Sequence, residues 1–149
     1  MLSLNLPTFN VKLSEREGKK IIFDSLRRRY VALTPEEWVR QHFIHFLIKH
    51  KEYPSAWMAN EVSLQLNGMR KRADTVLYRP DLSARMIIEY KSPEVEITQQ
   101  VFDQITRYNM VLRVDYLIVS NGIKHYCCRM DYEHNTYSFL RDIPNYNEL

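Results

Sequence analysis

In the stretch RKRADTVLYRPDLSARMIIEYKSP, residues 70–93, three polar side chains interrupt an otherwise strand-forming sequence. Asp74 stands alone, while Glu89 and Lys91 close the apolar run Met86-Ile87-Ile88. A hairpin turn centred between Asp81 and Leu82 would set Asp74 directly opposite Glu89, with Cβ atoms about 5 Å apart. Lys91, two residues further, would project from the same face. Opposed carboxylates repel, and a hard divalent cation removes the conflict. Mg²⁺ takes oxygen from one or two carboxylates and fills its shell with water and phosphate oxygens. It also acidifies bound water and stabilises charge on a phosphoryl group. An ammonium alongside can orient or help deprotonate that water while adding positive charge. The spacing suits metal-dependent phosphodiester hydrolysis.

These side chains need a sheet and helices to hold them. "WMANEVSLQL", residues 57–66, reads as a strand ending at an Asn67-Gly68 turn. Residues 73–79 and 85–91 read as two strands joined through "PDLS". "LTPEEW" is a helix start, with Thr34 as cap, Pro35 at the first helical position, and Glu36 and Glu37 in the first turn. Trp38, Val39, His42, Phe43, Phe46 and Leu47 then recur at helical spacing to about His50. A second helix is expected over about 98–112, with Val101, Ile105, Tyr108 and Leu112 on one stripe. "DYLIVS", Asn121-Gly122 and "IKHYCCRM" give strand, hairpin turn and strand, and "NTYSFL" a short last strand. Residues 9–12 and 19–24 read as strands around the polar turn "SEREGK". The order predicts an α/β fold: a mixed central sheet flanked by helices.

At 149 residues the chain is expected to form one domain, with 1–30 as an N-terminal hairpin extension and about 31–130 as the working core. A 45% apolar, 26% charged composition excludes a disordered chain. No apolar run approaches the roughly 18 residues that span a bilayer, so no membrane association is expected. "MLSLNLPTFNVKL" lacks a basic segment followed by a continuous apolar one, which points to the cytoplasm. Cys127 and Cys128 are adjacent, match no zinc pattern, and read as reduced structural thiols on opposite faces of a strand. The three glycines form no phosphate cradle. The five histidines read as core or surface residues. Arg27-Arg28-Arg29 and Arg70-Lys71-Arg72 are basic clusters; the second, beside Asp74, would suit a polyanion such as nucleic acid.

Asp74 followed by Glu89-Tyr90-Lys91 at the end of an apolar strand resembles the PD-(D/E)XK nuclease core. More narrowly, "LTPEEWVRQ", "RADTVLY", "IIEYKSP" and "FDQITRYN" followed by "YLIVSNG" resemble the N-terminal nuclease region of type I restriction enzyme R subunits. The resemblance covers roughly residues 30–125 and implies a restriction-endonuclease-like fold. It implies that Asp74 and Glu89 bind Mg²⁺, with Mn²⁺ able to substitute, and that Lys91 is the catalytic lysine. Gln104 and Tyr108, four apart on the second helix, match the family's glutamine-tyrosine motif, and Gln104 would help position the lysine, water or DNA backbone. Glu37 is the first-helix glutamate expected to complete the site. Arg70, Lys71, Arg72 and Tyr108 are the expected DNA contacts. A helicase or translocase, or methyltransferase-specificity subunits, are the implied partners. Ala73 stands where the motif's name has proline, and no helicase segment is present in these 149 residues. Two other readings stay open: an inactive nucleic-acid-binding module, and a domain active only when docked on a motor.

Overall fold

The structure, a computed structural model, describes residues 3–66 and 68–149. Asn67 of the expected Asn67-Gly68 turn lies outside the described residues. Three strands, β1 (Leu13–Arg16), β2 (Lys19–Asp24) and β3 (Arg29–Ala32), form a small antiparallel sheet. Helix α1 (Pro35–His50) follows, then β4 (Met58–Leu66), β5 (Met69–Tyr78) and β6 (Ala84–Tyr90). Helix α2 (Gln99–Met110) leads to β7 (Tyr116–Ser120), β8 (His125–Asp131) and β9 (Thr136–Phe139). Strands β4 to β9 lie side by side in chain order, antiparallel except for β6 against β7. A parallel pair needs a crossover, and α2 supplies it. The architecture is the expected α/β one. No helix among the described residues is long and apolar enough to cross a membrane.

The helix starts follow their caps. Thr34 accepts from the Glu37 amide at 3.0 Å, and Thr98 caps α2 from the Val101 amide in the same way. Two apolar layers then sandwich the sheet. Val39, Phe43, Ile44 and Leu47 of α1 pack on Leu77, Met86, Ile88, Tyr90 and Ile118. On the opposite face Phe102 of α2 packs with Val76, Ile87, Leu117 and Val119. Cys127 lies in the first layer and Cys128 in the second, both thiols free. Burial raises both thiols to about 12, so neither is reactive at neutral pH.

The structure corrects several boundaries. The first strand is Leu13–Arg16 rather than 9–12, and its turn is only Glu17-Gly18, both at positive φ. All four β1 residues are exposed, so no apolar alternation marks them. The sequence reading places no strand at β3, a four-residue segment with only Tyr30 and Val31 half-buried, too short to show an alternation. The buried stripe of α2 is Phe102, Thr106 and Asn109; Tyr108 of the expected stripe is 44% exposed. With one aromatic and two polar side chains, that face is hard to identify from hydropathy.

The N-terminal segment crosses the β7–β8 turn. Asn5 donates its amide to the Gly122 carbonyl at 2.8 Å, and its own carbonyl lies 2.9 Å from His125 Nε2. A carbonyl only accepts, so Nε2 carries the proton and Nδ1 takes the Ser120 hydroxyl at 2.7 Å. Gly122 has φ +85, and a Cβ there would fall 2.8 Å from Leu4 Cδ2. Gly122→Ala is expected to cost about 1–2 kcal/mol in urea unfolding, chiefly from the backbone conformation. Unchanged stability would contradict this account of the turn.

Candidate active site

Strands β5 and β6 pair Thr75 with Ile88, Val76 with Ile87 and Leu77 with Met86, the register that sets Asp74 opposite Glu89 one step beyond. The turn itself is not centred as expected. Tyr78 pairs with Ala84, which centres it on Asp81, and an irregularity between Leu77 and Tyr78 restores the register towards the site. Asp74 Oδ2 accepts the Tyr90 amide at 2.9 Å, so its carboxylate is tied to the strand carrying Glu89. Burial, and then the negative charge of Asp74, push Glu89 up to about 7 against the opposing pull of Lys71. Lys71 Nζ lies 2.7 Å from Glu89 Oε1, an ion pair that partly balances the buried carboxylate.

Lys91 continues the strand, its amide donating to the Ser120 carbonyl at 2.8 Å. Its half-buried side chain makes no ion pair among the described residues. Gln104 is exposed on α2, one turn before Tyr108. The Tyr108 ring covers Lys71, with Nζ 4.3 Å from its centroid. Tyr90 faces away from Glu89 and into the α1 layer, edge-on to Phe43.

Two placements depart from expectation. Lys71 is only 9% exposed, held between Glu89 and Tyr108 instead of standing at an entrance. Its neighbours Arg70 and Arg72 are exposed; Arg70 reaches Ser63 Oγ at 3.1 Å and Arg72 reaches Glu61 Oε2 at 2.6 Å. The reason is a slip in the side-chain alternation of β5. Ala73 packs in the α2 layer, whereas Thr75 and Leu77, at the same parity, face α1. Between the pairs Asn60–Thr75 and Val62–Ala73, Glu61 takes φ +56. That local distortion turns Lys71 onto the Glu89 side.

Glu37 is the other departure. It borders the same cleft as Asp74, of about 430 Å³, but both its oxygens are already bound. Arg40 Nε and Gln41 Nε2 donate to Oε2 at 3.0 and 2.9 Å; Arg40 Nη2 and Arg27 Nη2 donate to Oε1 at 3.0 and 2.9 Å. A carboxylate so saturated orients arginine rather than reaching the Asp74–Glu89 pair.

Arg40 is the residue that sequence reasoning missed. It is buried, and its guanidinium binds Glu37, Glu61 Oε1 at 2.7 Å and the Asp74 carbonyl at 2.7 Å. Burial opposes its charge, but Glu37 and Glu61 raise its pKa well above the ordinary arginine range. The one signal was the Glu37–Arg40 spacing of three on a helix, which usually marks a solvated pair. A second buried chain runs from Asp24 through Asn60 Nδ2, at 3.0 and 3.1 Å, and from Asn60 Oδ1 through Thr75 Oγ1 at 2.7 Å to Tyr90 Oη at 3.0 Å.

Residues 35–144 match the family described as type I restriction enzyme R protein N terminus. The chain belongs to that family. The structure also resembles the fragment structure of a chain described as an HsdR subunit of a type I restriction enzyme from Vibrio vulnificus YJ016, with TM-score 0.54 and 20% sequence identity. That likeness covers 78% of this chain and 24% of the other, so this chain spans about a quarter of that one, and at this identity it speaks to the fold alone. The family's matched segment takes in Arg40, Asp74, Glu89, Lys91 and Gln104, and begins after β3. No protein of curated function matches the chain.

Burial would raise Asp24, but its bonds from Arg27, Asn60 and two backbone amides outweigh this and hold it below its ordinary value of 3.8. An acid depressed on folding stabilises the fold fully above its unfolded pKa and loses that contribution as pH falls through the folded one. The stability difference between wild type and Asp24→Asn is therefore expected to be largest above about pH 5 and to shrink below about pH 4. Urea unfolding across that range checks it; a difference growing towards acid would contradict it.

Proposed function

We propose that this chain is a Mg²⁺-dependent deoxyribonuclease domain that hydrolyses DNA phosphodiester bonds. The observation that carries the reading is the meeting of Asp74 and Glu89, close enough for the charge of Asp74 to raise Glu89 although Lys71 pairs with it. Two hard carboxylates side by side fit a divalent cation. Among the described residues no group of three or more His, Cys, Asp or Glu is arranged to hold a metal ion, so the pair would supply two ligands and leave the rest to water and phosphate. When bound, the cation would acidify a water and neutralise charge at the phosphorus.

The chain's own side chains then divide the work. Asp74 and Glu89 would hold the cation, with the Glu89 side chain only 14% exposed. Lys91, with no ion-pair partner among the described residues, orients the attacking water and offsets developing charge. Gln104 supports the lysine, water or DNA backbone from α2. Arg70 and Arg72, both exposed, contact phosphates without reading sequence. Tyr108, partly exposed above Lys71, borders that path. Family membership supports a role in restriction, with DNA as the substrate, a motor and methyltransferase-specificity subunits as partners, and the cytoplasm as the compartment.

One observation favours a second reading. Lys71 already places a positive charge on Glu89, so the fold can balance this pair without a metal and could serve as a nucleic-acid-binding or motor-docking module. Plasmid cleavage with Mg²⁺ or Mn²⁺, compared with EDTA, separates the two. Asp74→Ala should abolish cleavage, and Lys91→Ala should lower it by about 10²–10⁴-fold, with circular dichroism unchanged. Full cleavage by Lys91→Ala would remove its catalytic role; metal-independent binding without cleavage would select the second reading.

A further inference from the structure

The turn between β2 and β3 lies outside the residues that match the family, yet two buried polar chains run from it to Asp74. The turn is stiff. Asp24 Oδ1 accepts the amides of Leu26 and Arg27 at 2.8 and 3.1 Å, and the Asp24 carbonyl accepts the Arg28 amide at 2.8 Å. Arg27 Nε binds Asp24 Oδ2. The first chain leaves through Arg27 Nη2 to Glu37 at 2.9 Å, passes to Arg40, and ends on the Asp74 carbonyl at 2.7 Å. The second leaves through Asp24 to Asn60, Thr75 and Tyr90, whose amide holds the Asp74 carboxylate at 2.9 Å.

We propose that the Asp24–Arg27 turn is a positioning element of the metal site, fixing Asp74 by its backbone through Arg27 and Arg40 and by its carboxylate through Asn60, Thr75 and Tyr90. This rests on the nuclease reading of the Asp74–Glu89 pair. The physical argument is that buried polar groups must keep their partners. Asp24, Asn60, Thr75, Glu37 and Arg40 are each at most 7% exposed, so losing one link strands the next. Arg27 also lines the cleft of about 430 Å³ that Glu61 and Asp74 border, so the turn that aims the carboxylate also borders the space in front of it. Asp24 and Arg27 touch neither metal nor substrate in this scheme; they act through Arg40 and Tyr90.

The test is Mn²⁺ binding by titration calorimetry to the full chain. Wild type, Asp74→Ala, Arg27→Gln and Thr75→Val are compared at a temperature where circular dichroism shows each folded. Arg27→Gln keeps the side-chain stem, and Thr75→Val keeps the shape of the buried link, so each interrupts one chain separately. Partners of metal ligands typically change affinity about 10- to 100-fold when removed, and that is the weakening expected in both variants. Arg27→Lys, which keeps a charge on Glu37, should recover part of it. Wild-type affinity in Arg27→Gln and Thr75→Val, with binding still lost in Asp74→Ala, would overturn the positioning role and leave the nuclease reading intact. If wild type binds no Mn²⁺ that Asp74→Ala loses, the nuclease reading falls and the inference falls with it. Should one variant not fold, the other carries the same comparison.

Discussion

A buried guanidinium governs this structure. Arg40 cannot remain charged inside the protein without anions around it, and removing one partner of such a group commonly costs about 3–5 kcal/mol. Its neighbours come from three elements: Glu37 from its own helix, Glu61 from β4 and the Asp74 carbonyl from β5. Satisfying Arg40 therefore draws the start of α1 onto the two strands at the point where Asp74 must be placed. The apolar second half of α1, with Phe43, Ile44 and Leu47, clamps the helix to the sheet. The charged first half sets where along the sheet it sits.

That constraint explains a local irregularity. Glu61 holds φ +56 inside a strand, a conformation that costs about 1–3 kcal/mol for a residue with a side chain. It persists because Arg40 and Arg72 both bind the Glu61 carboxylate, at 2.7 and 2.6 Å. Opposite it, the alternation of β5 slips, Lys71 turns inward onto Glu89, and Asp74 reaches the Tyr90 amide. The two acids can lie together because one is partly neutralised by Lys71 and the other is held by an amide. Their proximity is a product of the network, not of strand pairing alone.

The sequence made the scaffold readable where local chemistry was strong. Thr34-Pro35 marked the start of α1 and the apolar run to Ile88 placed β6; the Asp74–Glu89 register followed from a turn centre between Asp81 and Leu82, and the pairing matches it although the turn is centred on Asp81. The site's support was not legible, because it is built from residues that usually face water. Arg40 and Gln41 fall off the apolar stripe of α1 yet are buried, and Asn60 and Thr75 look like ordinary strand positions. β1 and β3 were hidden for another reason: each is four residues long, with no buried position to mark an alternation. Glu37, expected to complete the site, lines the same cleft as Asp74, but its saturation by Arg27, Arg40 and Gln41 becomes visible only when the long-range partner Arg27 is in place.

The account turns on whether Asp74 and Glu89 together would hold a cation. Crystals grown with Mn²⁺ and measured by anomalous scattering locate the ion directly. The account predicts the strongest peak about 2 Å from a carboxylate oxygen of each residue, with Arg40 still on the Asp74 carbonyl. A peak elsewhere, or none at a Mn²⁺ concentration that supports cleavage, would contradict it.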